Sequence, residues 1–195
     1  DAAIAANAVM GVVCPMMCGV GGDLFAIVQE ASGKLHGVNA SGWAPAALTP
    51  EVLEARGVTG MPQSGVHSVT VPGAVAGWAV LHERFGRTPL ARILEPAIAM
   101  AEEGFPVAEI TSEEWHIQES FLRGDPEAAR VFLPDAQPLG LGEIFRNRDL
   151  AWTCRQIAER GRDGFYEGEV ARRLVAGLKG SGSTLAAADL AKFQG

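Results

Sequence analysis

"LFAIVQEASGKLHGVNA", residues 24–40, decides the fold. Two runs rich in strand formers flank Ala31-Ser32-Gly33-Lys34, a turn-forming quartet, so the stretch reads as a β-hairpin. Its first run, Leu24–Val28, is apolar without interruption, which predicts a strand buried on both faces. Around the hairpin the pattern is helical. Upstream, "DAAIAANAVMGVV" (1–13) is Ala-rich helix, and Pro15 with Gly19, Gly21 and Gly22 breaks it before the hairpin begins. Downstream, "TPEVLEARG" offers Thr49 as a cap, Pro50 at the first turn and a stop near Gly57.

Further along, "VHSVTV" (66–71) reads as a short strand, and Pro72-Gly73 leads into a helix over "AVAGWAVLHERFG". "TPLARILEPAIAMAEEG" follows, with Thr88 as cap, Pro89 at the first position and Gly104 as stop. Leu90, Ile93, Leu94, Ala97, Ile98 and Ala101 make one apolar stripe, and Pro96 inside it predicts a kink. A Pro/Gly-rich connector from Pro134 to Gly142 separates helical segments in the second half, and no internal repeat is visible. The expectation is an α+β chain, predominantly helical, with one hairpin near the N-terminus and about seven helices behind it. Residues 1–48 supply helix and hairpin, and 49–195 a helical region.

The bulk numbers narrow the function. At 195 residues with 48% hydrophobic and 20% charged side chains the chain is a globular one. A net charge of −7 with scattered basic residues argues against a nucleic-acid partner, which demands a concentrated cationic surface. Small molecules or peptides are the expected ligands. No apolar run is long enough for a membrane span. No leader pattern is visible, but the chain opens on Asp1, so the true N-terminus is expected to be missing, which leaves the compartment open between cytoplasm and periplasm. Cys14, Cys18 and Cys154 are too few for a disulfide framework, and Cys14 with Cys18 lacks the second Cys/His pair of a metal site, so buried thiols are expected.

Searches for chemistry are mostly empty. There is no G-x-S-x-G elbow and no H-E-x-x-H. "GVGGD" (19–23) could cradle an anion with its N–H groups, but it lies between helix and strand, the reverse of a phosphate loop, and no Lys-Ser/Thr follows. Tight backbone packing is the plainer reading, with Asp23 as a turn acid or hydrogen-bond anchor. Glu102 and Glu103 are adjacent on a helix and do not face each other, so they read as a solvated surface. Asn39-Ala40-Ser41 matches a glycosylation acceptor by accident of composition.

Five blocks, in order, carry a resemblance: "DAAIAANAVMGVVCPMMCGVGGDLFAIV", "NASGWAPAALTP", "VTVPGAVAGWAVLHERFG", "PLARILEPAIAMAEEGFPV" and "GRDGFYEGEVARRL". Together they are similar to the large subunit of γ-glutamyltranspeptidases and their acylase-like relatives. The resemblance implies a partial large subunit of an αββα N-terminal-nucleophile hydrolase, made as a precursor that cuts itself. It also implies a partner, a small subunit whose first residue is a threonine with its own free amine as general base. On this reading no catalytic residue lies in this chain, and no cofactor or metal is needed. The substrate would be a γ-glutamyl or acyl amide.

One loop, "NASGWAP" (39–45), would face that substrate. In typical members the matching stretch reads Arg-Glu-x-Ala-Pro, whose arginine grips the substrate α-carboxylate. Aligned on Ala44-Pro45, the arginine falls on Ser41 and the glutamate on Gly42. Many relatives have Ser-Gly-Arg-Ala-Pro instead, which puts the arginine at Trp43. Ser41, Gly42 and Trp43 are therefore the candidate substrate-binding residues, and neither placement of the guanidinium survives. Trp43 is either the wall of that site or packing beneath the loop.

Overall fold

Residues 1–195 are described by a computed structural model. The hairpin forms where its sequence places it. Strand β1 (Leu24–Gln29) pairs antiparallel with β2 (Leu35–Ala40), Leu24 opposite Ala40 and Gln29 opposite Leu35. Gly33, at φ +87°, supplies the left-handed residue of the turn, its N–H donating to the Glu30 carbonyl. Ahead of the hairpin runs α1 (Ala2–Val13), and after it come α2 (Pro50–Ala55), α3 (Ala74–Phe85) and α4 (Leu90–Glu103). Short strand β3 (Phe105–Pro106) precedes α5 (Glu109–Arg123) and α6 (Pro126–Phe132), and β4 (Ile144–Phe145) precedes α7 (Arg148–Arg160). The chain finishes with α8 (Arg162–Tyr166), α9 (Gly168–Gly180) and α10 (Ala187–Lys192).

These elements gather into two compact units that do not follow chain order. One comprises Asp1–Gly19 with Ala91–Arg155, the other Val20–Leu90 with Gln156–Gly195. In the first, the α4 stripe buries Ile93, Leu94, Ala97 and Ala101. Helix α4 runs through Pro96, which lies on the exposed side where water can take up the hydrogen bond it cannot donate. Trp115 of α5 sets its edge against Phe145 with ring centroids 4.8 Å apart, and Phe105 and Phe132 each stand 5.9 Å from Phe145. Phe105 and Phe145 of that aromatic core also carry β3 and β4, a two-residue ladder too short to leave an alternating pattern in the sequence.

In the second unit, helix α3 lies on the inner face of the hairpin. Gly77 makes the close approach possible: a Cβ there would sit 2.7 Å from Leu24 Cδ2 and 3.1 Å from Ala40 Cβ. Ala74 through Trp78 are all buried, with the hairpin on one side of the helix and α8 on another. No side chain caps α3; the Gly22 carbonyl accepts the N–H groups of Gly73 at 2.9 Å and Ala74 at 2.8 Å.

Three expectations need correction. Leu24–Val28 is not buried on both faces: burial alternates, and Phe25 (68% exposed), Ile27 (81%) and, across the turn, Leu35 (64%) form an open apolar outer face. A two-stranded sheet with one helix layer covers one side only. "VHSVTV" is no strand but a single 3-10 turn, Val66–Ser68, followed by extended chain with no ladder. Gly65 at φ +91° turns the backbone there, and Val71 N–H finds only the Trp43 carbonyl, at 3.0 Å. Nine α-helices, rather than about seven, follow the hairpin; the five-residue α8, between Gly161 and Glu167, has no counterpart among the expected helices.

Candidate functional site at the end of the hairpin

Where β2 ends, the backbone of residues 41–43 is fixed by three neighbours. Asp23, the last residue before β1, turns its carboxylate onto the loop. Its Oδ1 accepts the Gly42 N–H at 2.9 Å and its Oδ2 accepts the Ser41 hydroxyl at 3.3 Å. Asn39 closes an Asx turn, its Oδ1 accepting the Ser41 N–H at 3.0 Å. On the other side the segment leading into α3 presses against the loop: a Cβ on Gly42 would lie 1.7 Å from the Val71 carbonyl oxygen, and one on Gly73 would lie 1.8 Å from that of Ala40. Position 42 therefore accepts glycine alone in this backbone, and a glutamate there would require the loop to move.

Trp43 stands 47% exposed, with the edge of its indole on Phe193, ring centroids 5.1 Å apart at 84°. Phe193 itself is buried. Trp43 is thus packed on one side and open on the other. The layer beneath it is held by Tyr166 of α8, whose hydroxyl donates to the Pro72 carbonyl at 2.6 Å and accepts the Ala76 N–H at 3.1 Å. Burial pushes the Tyr166 phenol up to about 12, keeping it a neutral donor. Arg162 lies over the Tyr166 ring at 5.0 Å, donates to the carbonyls of Phe193 and Ala191 at 2.6 and 2.8 Å, and pairs with Asp163 at 3.2 Å. Asp189 of α10 accepts the Ala46 N–H at 3.2 Å and reaches back to the Ala186 N–H at 2.9 Å.

The three sequence-designated residues therefore share one loop, with Ser41 and Trp43 both exposed. What binds that loop is a carboxylate, Asp23, and a phenylalanine, Phe193. Sequence reading singled out Asp23 as a possible anchor but passed over Tyr166, Phe193 and Asp189. The one available hint was that Tyr166 is the only tyrosine in the chain. Elsewhere, Glu102 pairs with Arg155, and His36 bonds Glu30 at 2.5 Å. No group of three or more His, Cys, Asp or Glu side chains converges as a metal site would require.

The family model for γ-glutamyltranspeptidase matches residues 1–195. The glutathione hydrolase-like YwrD proenzyme of Bacillus subtilis is 36% identical over the whole chain, which spans 37% of that relative's length. Among solved structures, cephalosporin acylase from Bacillus halodurans superposes with a TM-score of 0.93 at 38% identity, covering 98% of this chain and 37% of that one. The γ-glutamyltranspeptidase of Helicobacter pylori superposes equally well, TM-score 0.93, at 27% identity, covering 98% of this chain and 56% of that one. Sequence match and superposition both run from end to end, and the chain belongs to the γ-glutamyltranspeptidase family.

Proposed function

We propose that this chain is large-subunit material of a self-processing enzyme that transfers or hydrolyses γ-glutamyl or acyl amides, glutathione among the candidate substrates. The nucleophile would be a threonine at the start of a separate small subunit, its own amine serving as base. This chain's share of the work is the loop Ser41-Gly42-Trp43, offered to the substrate from the end of β2.

The observation that carries this reading is the anchoring of that loop. Asp23, Asn39 and the Val71 carbonyl fix its backbone without using the outer face of Trp43. A preorganised loop with an open indole is what a wall of an acyl pocket requires. The same observation favours a second reading of the substrate. An indole and a serine cannot neutralise a carboxylate, and a nearby Asp23 adds negative charge, so an acyl group lacking the α-carboxylate suits the loop better than γ-glutamate does.

Expression of the full reading frame tests both. Self-cleavage into two chains, with threonine first on the smaller by N-terminal sequencing, is the expected result. An intact, inactive product would leave only a non-catalytic domain. Turnover of a γ-glutamyl anilide against simple acyl anilides then separates the substrate readings, and a strong γ-glutamyl preference would overturn the second.

A further inference from the structure

We propose that Cys14 and Cys18 are a modification site, a dithiol that closes reversibly to an intramolecular disulfide, independent of the loop at 41–43. The expectation of buried thiols is met only by Cys154; Cys14 and Cys18 are both half-buried and reachable. Between them the sequence is Pro15-Met16-Met17. Helix α1 ends at Val13, and the chain then folds into a tight turn, the Cys14 carbonyl accepting the N–H of Met17 at 3.0 Å and of Cys18 at 3.4 Å.

A turn closed from a residue to the fourth beyond it holds the end Cα atoms about 6 Å apart. That lies inside the window of about 4.4–6.8 Å between Cα atoms that a disulfide spans, and the Cβ atoms, about 5–6 Å apart at this helical spacing, draw in to about 4 Å as the bond closes. The far end of the turn is pinned as well. Gly19 returns onto α1 so closely that a Cβ on Gly11 would stand 3.1 Å from the Gly19 Cα. The Cys18 thiol is pushed up by burial first and by Cys14 second.

The chemistry needs a small disulfide as oxidant, glutathione disulfide for instance. One thiolate attacks an oxidant sulfur, forming a mixed disulfide and expelling one small thiolate. The second cysteine, as thiolate, attacks the protein sulfur of that mixed disulfide and expels the other. One protein S–S bond forms and one oxidant S–S bond breaks. The two protons lost by the cysteines end on the two released thiols. Cys154 is an internal control: it is 1% exposed and burial pushes its thiol up to about 11.

The test is peptide mass spectrometry of the full-length native protein after incubation with glutathione disulfide and alkylation of remaining thiols. No Lys or Arg separates Cys14 from Cys18, so both fall on the tryptic peptide ending at Lys34, while Cys154 falls on Asp149–Arg155. The expected result is that the first peptide loses two hydrogens, carries no glutathione and is restored by dithiothreitol, with Cys154 unchanged. In Cys14→Ser or Cys18→Ser protein the remaining cysteine should instead retain glutathione. Wild-type protein that carries glutathione on both cysteines, or stays fully reduced where an exposed model dithiol is oxidised, overturns the proposal without recourse to the variants.

Discussion

Under the proposed function, the side chain at position 43 is what separates two kinds of substrate. If the loop faces the acyl pocket, Trp43→Arg returns a guanidinium to a backbone already held by Asp23 and the Val71 carbonyl. A charge-assisted contact to a carboxylate contributes about 1.5–3 kcal/mol, which is on the order of tenfold to a hundredfold in specificity. The expected outcome in the full-length processed protein is a rise of that size in the ratio of kcat/KM for a γ-glutamyl anilide over a simple acyl anilide. Ser41→Arg should act in the same direction. An unchanged ratio would mean that the indole only packs on Phe193. A second residue-scale prediction concerns Asp23→Ala, which deprives the Gly42 N–H and Ser41 hydroxyl of their acceptor. The exposed loop should loosen at a cost of about 1 kcal/mol, seen as faster amide exchange at residues 41–43 with α3 unaffected.

Helix α8 is hydrogen-bonded to α3 through one atom. Tyr166 Oη joins α8 to the first turn of α3 and to the Pro72 carbonyl inside a buried layer. Tyr166→Phe leaves both backbone groups unpaired, and chemical denaturation should show a loss of about 1–3 kcal/mol. Alkali should probe the same bond. A phenol whose pKa is higher folded than unfolded keeps its proton more tightly in the fold. Its contribution is therefore complete below pH about 10 and is lost as pH rises through about 12. Buried Cys154, raised from 9.0 to about 11, behaves likewise over a lower window. Stability should thus fall in overlapping steps above pH about 9, Cys18 adding to the thiol part, and Tyr166→Phe should remove the uppermost. At this scale the sequence was legible wherever local chemistry decides. Thr49 caps α2 by accepting the Val52 N–H, the α4 stripe is buried, and the hairpin turns at Gly33. It was illegible where distant partners decide. A valine-rich run at 66–71 lacks a neighbouring strand, and Leu24–Val28 cannot announce that only one face meets a helix. Tyr166, Phe193 and Asp189 lie more than a hundred residues from the loop they support, so no local pattern reports them.

For the molecule as a whole, the outer face of the hairpin is the informative surface. Phe25, Ile27 and Leu35 are open to solvent in a chain that spans about a third of the length of its curated relatives. A contiguous apolar face of this kind is a candidate contact for further protein. If the rest of the enzyme covers it, Ile27→Lys in the full-length protein would bury an unpaired ammonium, and a thermal melt should fall by the equivalent of at least about 2 kcal/mol, with less processed product. An unchanged melt would show the face to be free. The close approach of Gly42 to the Val71 carbonyl also sets the terms on which this protein could be redirected. Because position 42 is sterically closed while 41 and 43 open outward, a saturation library aimed at acyl specificity, if the loop lines the acyl pocket as proposed, has two productive codons and one that should stay glycine. Diversity in the loop is thereby confined to alternate residues, and variants that gain activity through position 42 would have to carry a compensating change in residues 70–73.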